Sequence, residues 1–104
     1  MESSMVKSFA NSNLKIIKDF FKNNLIDYQV ITESTHGPYW YIKLSKDDIA
    51  VSISGDIGFS IEIFINKSKY ELWEYDKSIN DKIKTNNENI LYQLNVLKHF
   101  LMEL

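Results

Sequence analysis

Residues 39–75 read YWYIKLSKDDIAVSISGDIGFSIEIFINKSKYELWEY. Apolar side chains fall on every second position: Trp40, Ile42 and Leu44, then Ile49, Val51 and Ile53, then Phe59, Ile61, Ile63 and Ile65, with Tyr70 and Leu72 extending the set. A period of two marks a half-buried strand, because successive side chains leave the backbone on opposite sides. The alternation breaks at HGP, SKD, SGDIG and NKS, each short enough for neighbouring strands to pair antiparallel as a meander. Strands are expected near 27–33, 39–45, 48–54, 59–65 and 69–75, with Gly55 and Gly58 supplying positive φ in the third turn.

Outside this region the period changes. From about Met5 to Leu25, Val6, Phe9, Ile16, Ile17, Phe20 and Phe21 recur at helical spacing between lysines, and Asn23-Asn24 supply a stop. Ser12 offers an alternative cap for a shorter helix. After Tyr75 a polar run, DKSINDKIKTNN, precedes a helix expected over about 86–103. Thr85 and Glu88 have the spacing of a capping box, and Ile90, Leu94, Leu97, Leu101 and Leu104 form one stripe behind it. The stripe could serve a coiled coil, but two heptads are few, and packing on the sheet is the simpler use. The whole chain, 1–104, is expected to form one two-layer α+β domain: a five-stranded antiparallel meander with N- and C-terminal helices on one face. A domain of this size buries about 65% of the surface its unfolded chain exposes, enough for one core.

Alternation leaves a second face carrying Tyr39, Tyr41, Lys43, Ser52, Glu62, Phe64, Glu71, Trp73 and Tyr75. Open antiparallel faces are ordinarily polar, so aromatics interleaved with charge there resemble a protein interface. The competing reading is a bulge that flips the parity of the last strand and makes Trp73 and Tyr75 core. Between Tyr70 and Asp76 the chain sets Glu71, Glu74 and Asp76 among three aromatics. Such a patch fits a basic partner, or an edge strand kept soluble by charge. Upstream, Gly37-Pro38 reads as the corner between the first two strands, with His36 at the sheet's rim. Trp40 should then face the core and Tyr41 the other side.

Composition narrows the functions. Fourteen Ile, ten Asn and twelve Lys with no Arg point to an A/T-rich gene. Lacking guanidinium, and with a formal net charge of −2, the chain is poorly equipped to bind phosphates, so nucleic acid is not expected as a partner. With no cysteine there is no disulfide or thiolate chemistry, which suits a reducing compartment. The N-terminal MESSMVKSFANSN lacks the features of a secretory signal, and no apolar run approaches the roughly 20 residues of a membrane span. A cytoplasmic protein without a membrane partner is expected.

Chemistry finds little support. His36 and His99 lie far apart in the chain and outside any zinc-binding spacing. No GxSxG is present. Asp47-Asp48 and Glu71/Glu74 could pair as carboxylates, but turns and surfaces explain both. Gly55-Asp-Ile-Gly58 lies between strands, not ahead of a helix, and so lacks the context of a phosphate loop. No enzymatic activity, metal or cofactor is expected.

The stretches SISGDIGFSIEIF (52–64) and KYELWEYDK (69–77), in a small, mildly acidic, cysteine-free domain, resemble the immunity proteins that bacteria carry against contact-dependent or polymorphic toxins. That resemblance implies an antitoxin-like protein that binds and occludes a cognate toxin domain, in many cases a nuclease. Tyr39, Tyr41, Phe64, Trp73 and Tyr75 would be its anchors, with Glu62, Glu71, Glu74 and Asp76 facing a basic rim. The alternative is a secretion-type chaperone or small homodimeric adaptor using the same face on itself. Contact through the helices instead of the sheet is also open, as is the choice between monomer and homodimer.

Overall fold

The computed structural model of the chain describes residues 3–104, with side chains from Ser8 onward, so Val6 of the expected helical stripe lies outside the described side chains. Helix α1 runs Ser3–Asn24 without a break at Ser12. Its end matches the expected asparagine stop: Asn24 Nδ2 donates to the Phe20 carbonyl (3.0 Å), and Lys98 Nζ donates to Asn24 Oδ1 (3.2 Å). Ala10, Asn13, Leu14, Ile17, Phe20 and Phe21 form its buried stripe, while Phe9, expected there, is 38% exposed.

Strands β1 (Gln29–His36), β2 (Tyr39–Lys46), β3 (Ile49–Gly55), β4 (Phe59–Ile65) and β5 (Ser68–Glu71) pair antiparallel in chain order, giving the expected meander. Three of its loops hold two residues, and the first of each is left-handed: Gly37 (φ 60°), Asp47 (φ 54°) and Asn66 (φ 58°). Gly and Asx residues tolerate that region because they lack a Cβ or carry a short polar side chain. Gly55 and Gly58, expected to have positive φ, do not. Gly55 is needed for space: a Cβ there would overlap the Gly58 carbonyl oxygen and the Phe59 Cβ.

Registration puts Trp40, Gly55 and Phe59 in one row, Ile42, Ile53 and Ile61 in the next, and Leu44, Val51 and Ile63 in a third. Gly55 aside, all of these are buried. With Ile90, Leu94, Leu97 and Leu101 of α3 (Asn87–Met102) and the stripe of α1 they make a single core. Both terminal helices therefore cover one face. Each fully buried Leu or Ile contributes about 1.5–3 kcal/mol relative to exposure. Trp40 is fully buried and Tyr41 half-buried, as alternation requires. Leu104 falls beyond the end of α3 and is 60% exposed, so the stripe stops at Leu101.

Two stretches depart from expectation. β5 ends at Glu71, and residues expected to continue it form a one-turn helix, α2 (Leu72–Tyr75). The polar run beyond it holds a 3-10 turn, Lys77–Asp81, whose Ile79 is buried. Next, residues 83–85 cross the β3–β4 loop: Phe59 N–H donates to the Ile83 carbonyl (2.9 Å) and Thr85 N–H to the Ile57 carbonyl (2.7 Å). That crossing holds Thr85 down, and Asn86 caps α3 by accepting from Asn89 N–H at 2.7 Å. The expected Thr85–Glu88 capping box is thus not formed, the cap falls one residue later at Asn86, and Thr85 Oγ1 is buried without a hydrogen-bond partner.

Candidate protein-binding surface

The nine residues singled out as a contact surface divide into two groups that meet at Glu71. Tyr39, Tyr41, Glu62, Phe64 and Glu71 lie on the open face of the sheet. Tyr41 stands in a row with Ser34, Ser54 and Ser60; Lys43, Ser52, Glu62 and Glu71 form the next row; Ser45, Ala50, Phe64 and Lys69 form a third. Small side chains fill the middle of this face and aromatics stand toward its two sides. Lys43 Nζ sits 5.9 Å from the Phe64 ring centroid, a cation–π contact across the diagonal.

Trp73, Glu74, Tyr75 and Asp76 belong to α2 and the residue after it, so Trp73 and Tyr75 are not on the open face. The reading that made them core through a flipped strand also fails: they are 42% and 40% exposed, and the bulge lies in β1, at Ile31. The helical turn forms because Glu74 reaches back to the Glu71 N–H (2.9 Å), the cap that an acidic pair three apart can make. Leu72 points into the core beneath it. Tyr75 packs edge-on against Phe100 of α3 with ring centroids 5.0 Å apart, and its hydroxyl donates to Glu103 Oε1 at 3.0 Å. Tyr70 reaches the same Phe100 from β5, at 6.4 Å. Phe100 is thus the hub of this corner, and its role is invisible in the periodicity of α3, where it lies beside the apolar stripe.

Charge at the site is more compensated than the sequence suggests. Lys69 Nζ lies 3.2 Å from Glu62 and 3.7 Å from Glu71, and the hydrogen bond to Glu62 raises its pKa above the ordinary lysine value. Asp76 accepts from the Ser78 hydroxyl (2.7 Å) and N–H (3.0 Å), which lowers its pKa, and the Ser78 hydroxyl is also bonded to that of Tyr92. Tyr75 is shifted upward, first by its bond to Glu103. Each expected carboxylate therefore has a partner within the chain. What stands out from this corner is apolar: Tyr70, Trp73 and Tyr75, with Met102 and Leu104 exposed at the end of α3.

The residues weighed for chemistry do not converge. His36 is exposed opposite Tyr39 at the rim, and His99 is exposed on α3. Asp47 and Asp48 form a hairpin loop. Among the described residues no three metal-ligating side chains gather, and no helix is long and apolar enough to cross a membrane. A shallow groove of about 900 Å³ runs between α1 and the start of α3, past Phe9, Ser12, Asn13, Thr85 and Glu88. The unpartnered Asn13 Nδ2 and Thr85 Oγ1 atoms beside it are closed to solvent and do not face a ligand there. The chain matches no protein-family model, no curated protein and no solved structure.

Proposed function

We propose that the protein works by binding another protein through the corner built on α2, with Trp73 as the anchor, and that it neutralises a toxin by covering it. The observation that carries this reading is Trp73 itself: a two-ring side chain 42% exposed on a turn held by the Glu71–Glu74 cap and by the edge-on packing of Tyr75 against Phe100. A backbone turn fixed before contact spares part of the ordering cost of association, and exposed tryptophans are frequent interface anchors. Tyr70 and Tyr75, both packed on Phe100, add exposed aromatic surface to the same corner, and Glu74 and Asp76, whose partners within the chain are uncharged, present carboxylates to a basic partner, beside Glu62 and Glu71, which share Lys69. Tyr39, Tyr41 and Phe64 on the open face form a second contact region, joined to the first at Glu71. The resemblance of 52–64 and 69–77 to bacterial immunity proteins supplies the kind of partner: a cognate toxin domain, met in the cytoplasm. The chain itself performs no chemistry in this account and needs no cofactor. Co-expression with a candidate toxin domain, sought in the gene next to this chain's own, tests the reading. The wild type should restore growth and Trp73→Ala should not; equal protection by both removes Trp73 as the anchor.

A further inference from the structure

The two edges of the sheet are built differently. β5 is four residues long, carries Lys69 in its middle, and is ended by α2, so little backbone is left for another strand to pair with. β1, at the other edge, has eight residues, QVITESTH, all exposed and with neither lysine nor proline. Its protection amounts to the bulge at Ile31 and one charge, Glu33, which Lys18 of α1 neutralises at 3.0 Å. Beyond the bulge, Thr32–His36 pairs regularly with β2.

The direction of the unused hydrogen-bonding groups follows from the hairpin. A two-residue loop, here Gly37-Pro38, is closed by a pair that exchanges both hydrogen bonds, His36 with Tyr39. Alternation then turns the N–H and C=O of Ser34 and Thr32 toward β2, and those of Thr35 and Glu33 outward. We propose that β1 pairs antiparallel with β1 of a second copy, joining the two meanders into one ten-stranded sheet about a two-fold axis through Ser34.

The register follows from the same groups. Outward-facing Glu33 meets Thr35 of the second copy and exchanges hydrogen bonds with it, Ser34 lies opposite its own copy, and Thr32 lies opposite His36. No like charges oppose one another, and hydroxyl side chains face each other across the seam, a favourable cross-strand pairing. One step further, Ile31, 57% exposed, comes to the Gly37-Pro38 loop of the second copy and loses solvent there. Because the β5 edge is blocked, the contact is isologous and closes at two chains instead of growing into a filament. The β5 side of the sheet, with α2 and Trp73, stays outside this seam, so the dimer stands independently of the proposed function.

Light scattering and crosslinking of the full chain test it. The wild type should have twice the 12.2 kDa chain mass. Thr35→Pro removes an outward N–H and no ladder bond, and should give the single-chain mass with unchanged circular dichroism. Ser34→Lys, which opposes two lysines on the axis, should do the same and covers the case in which the proline variant misfolds. Ser34 and its copy form a non-hydrogen-bonded pair with Cα atoms about 4.5 Å apart, within disulfide reach. In this cysteine-free chain Ser34→Cys should therefore crosslink on mild oxidation and Thr32→Cys should not. A monomeric wild type overturns the proposal, including the case in which β1 takes a strand only from a different protein. A dimer that survives both variants, or crosslinks equally through both cysteines, overturns the edge and register.

Discussion

Trp40 and Phe59 meet over Gly55, their ring centroids 6.1 Å apart in a cross-strand row whose middle residue has no side chain. The glycine leaves room for both rings, and the rings cover the backbone that it would otherwise expose. Gly55→Ala should destabilise the fold by about 3 kcal/mol, because the added methyl meets the Gly58 carbonyl and the Phe59 Cβ. A urea denaturation midpoint shows this, and a midpoint within error of the wild type would contradict the packing.

The two tryptophans should separate optically. Trp40 is fully buried and Trp73 is 42% exposed, so a soluble quencher should remove fluorescence from Trp40→Phe, where only Trp73 emits, far more efficiently than from Trp73→Phe. Comparable quenching of both variants would mean that the strand parity assigned at Trp40 is wrong.

The start of α3 gives a paired test. Asn86→Ala removes the side-chain acceptor from Asn89 N–H and should cost about 1 kcal/mol. Thr85→Val exchanges an unpartnered buried hydroxyl for a methyl and should be neutral or slightly stabilising. Denaturant curves for the two variants should differ in that order; the reverse order would restore Thr85 as the cap.

Alkaline titration reads the Tyr75–Glu103 bond. The hydrogen bond favours the protonated phenol, so the folded-state pKa lies above the unfolded value of about 10. The stability it contributes is fully present below that value and is lost as pH rises through the folded pKa. Glu103→Gln should bring the Tyr75 titration, followed by phenolate absorbance, back toward the ordinary tyrosine range; an unchanged titration would show that the carboxylate is not its partner.

Much of this structure is legible in the sequence where one physical rule dominates. Strict alternation through β2, β3 and β4 separates Trp40 from Tyr41, and the asparagines end α1, because nothing competes with local pattern there. Tertiary contacts decide the rest. YELWEY alternates well enough to pass for a strand, yet the Glu71–Glu74 cap and the burial of Leu72 close it into a turn, which moves Trp73 and Tyr75 off the open face. The spacing of two glutamates three apart was the available signal. Thr85 has the composition of a helix cap, but its backbone is held against the β3–β4 loop, so the helix starts one residue later. Phe100 gathers Tyr70 and Tyr75 through neighbours distant in the chain, and no periodicity in α3 marks it.

If Trp73 anchors the proposed protein partner, calorimetric titration of a candidate toxin domain into wild type and Trp73→Ala reads that contact itself. One-to-one binding by the wild type is expected, with an affinity at least about 30-fold weaker for the variant, the loss of a hot-spot contact of about 2 kcal/mol, at an unchanged denaturation midpoint. Equal affinities, or no binding by the wild type, would contradict it.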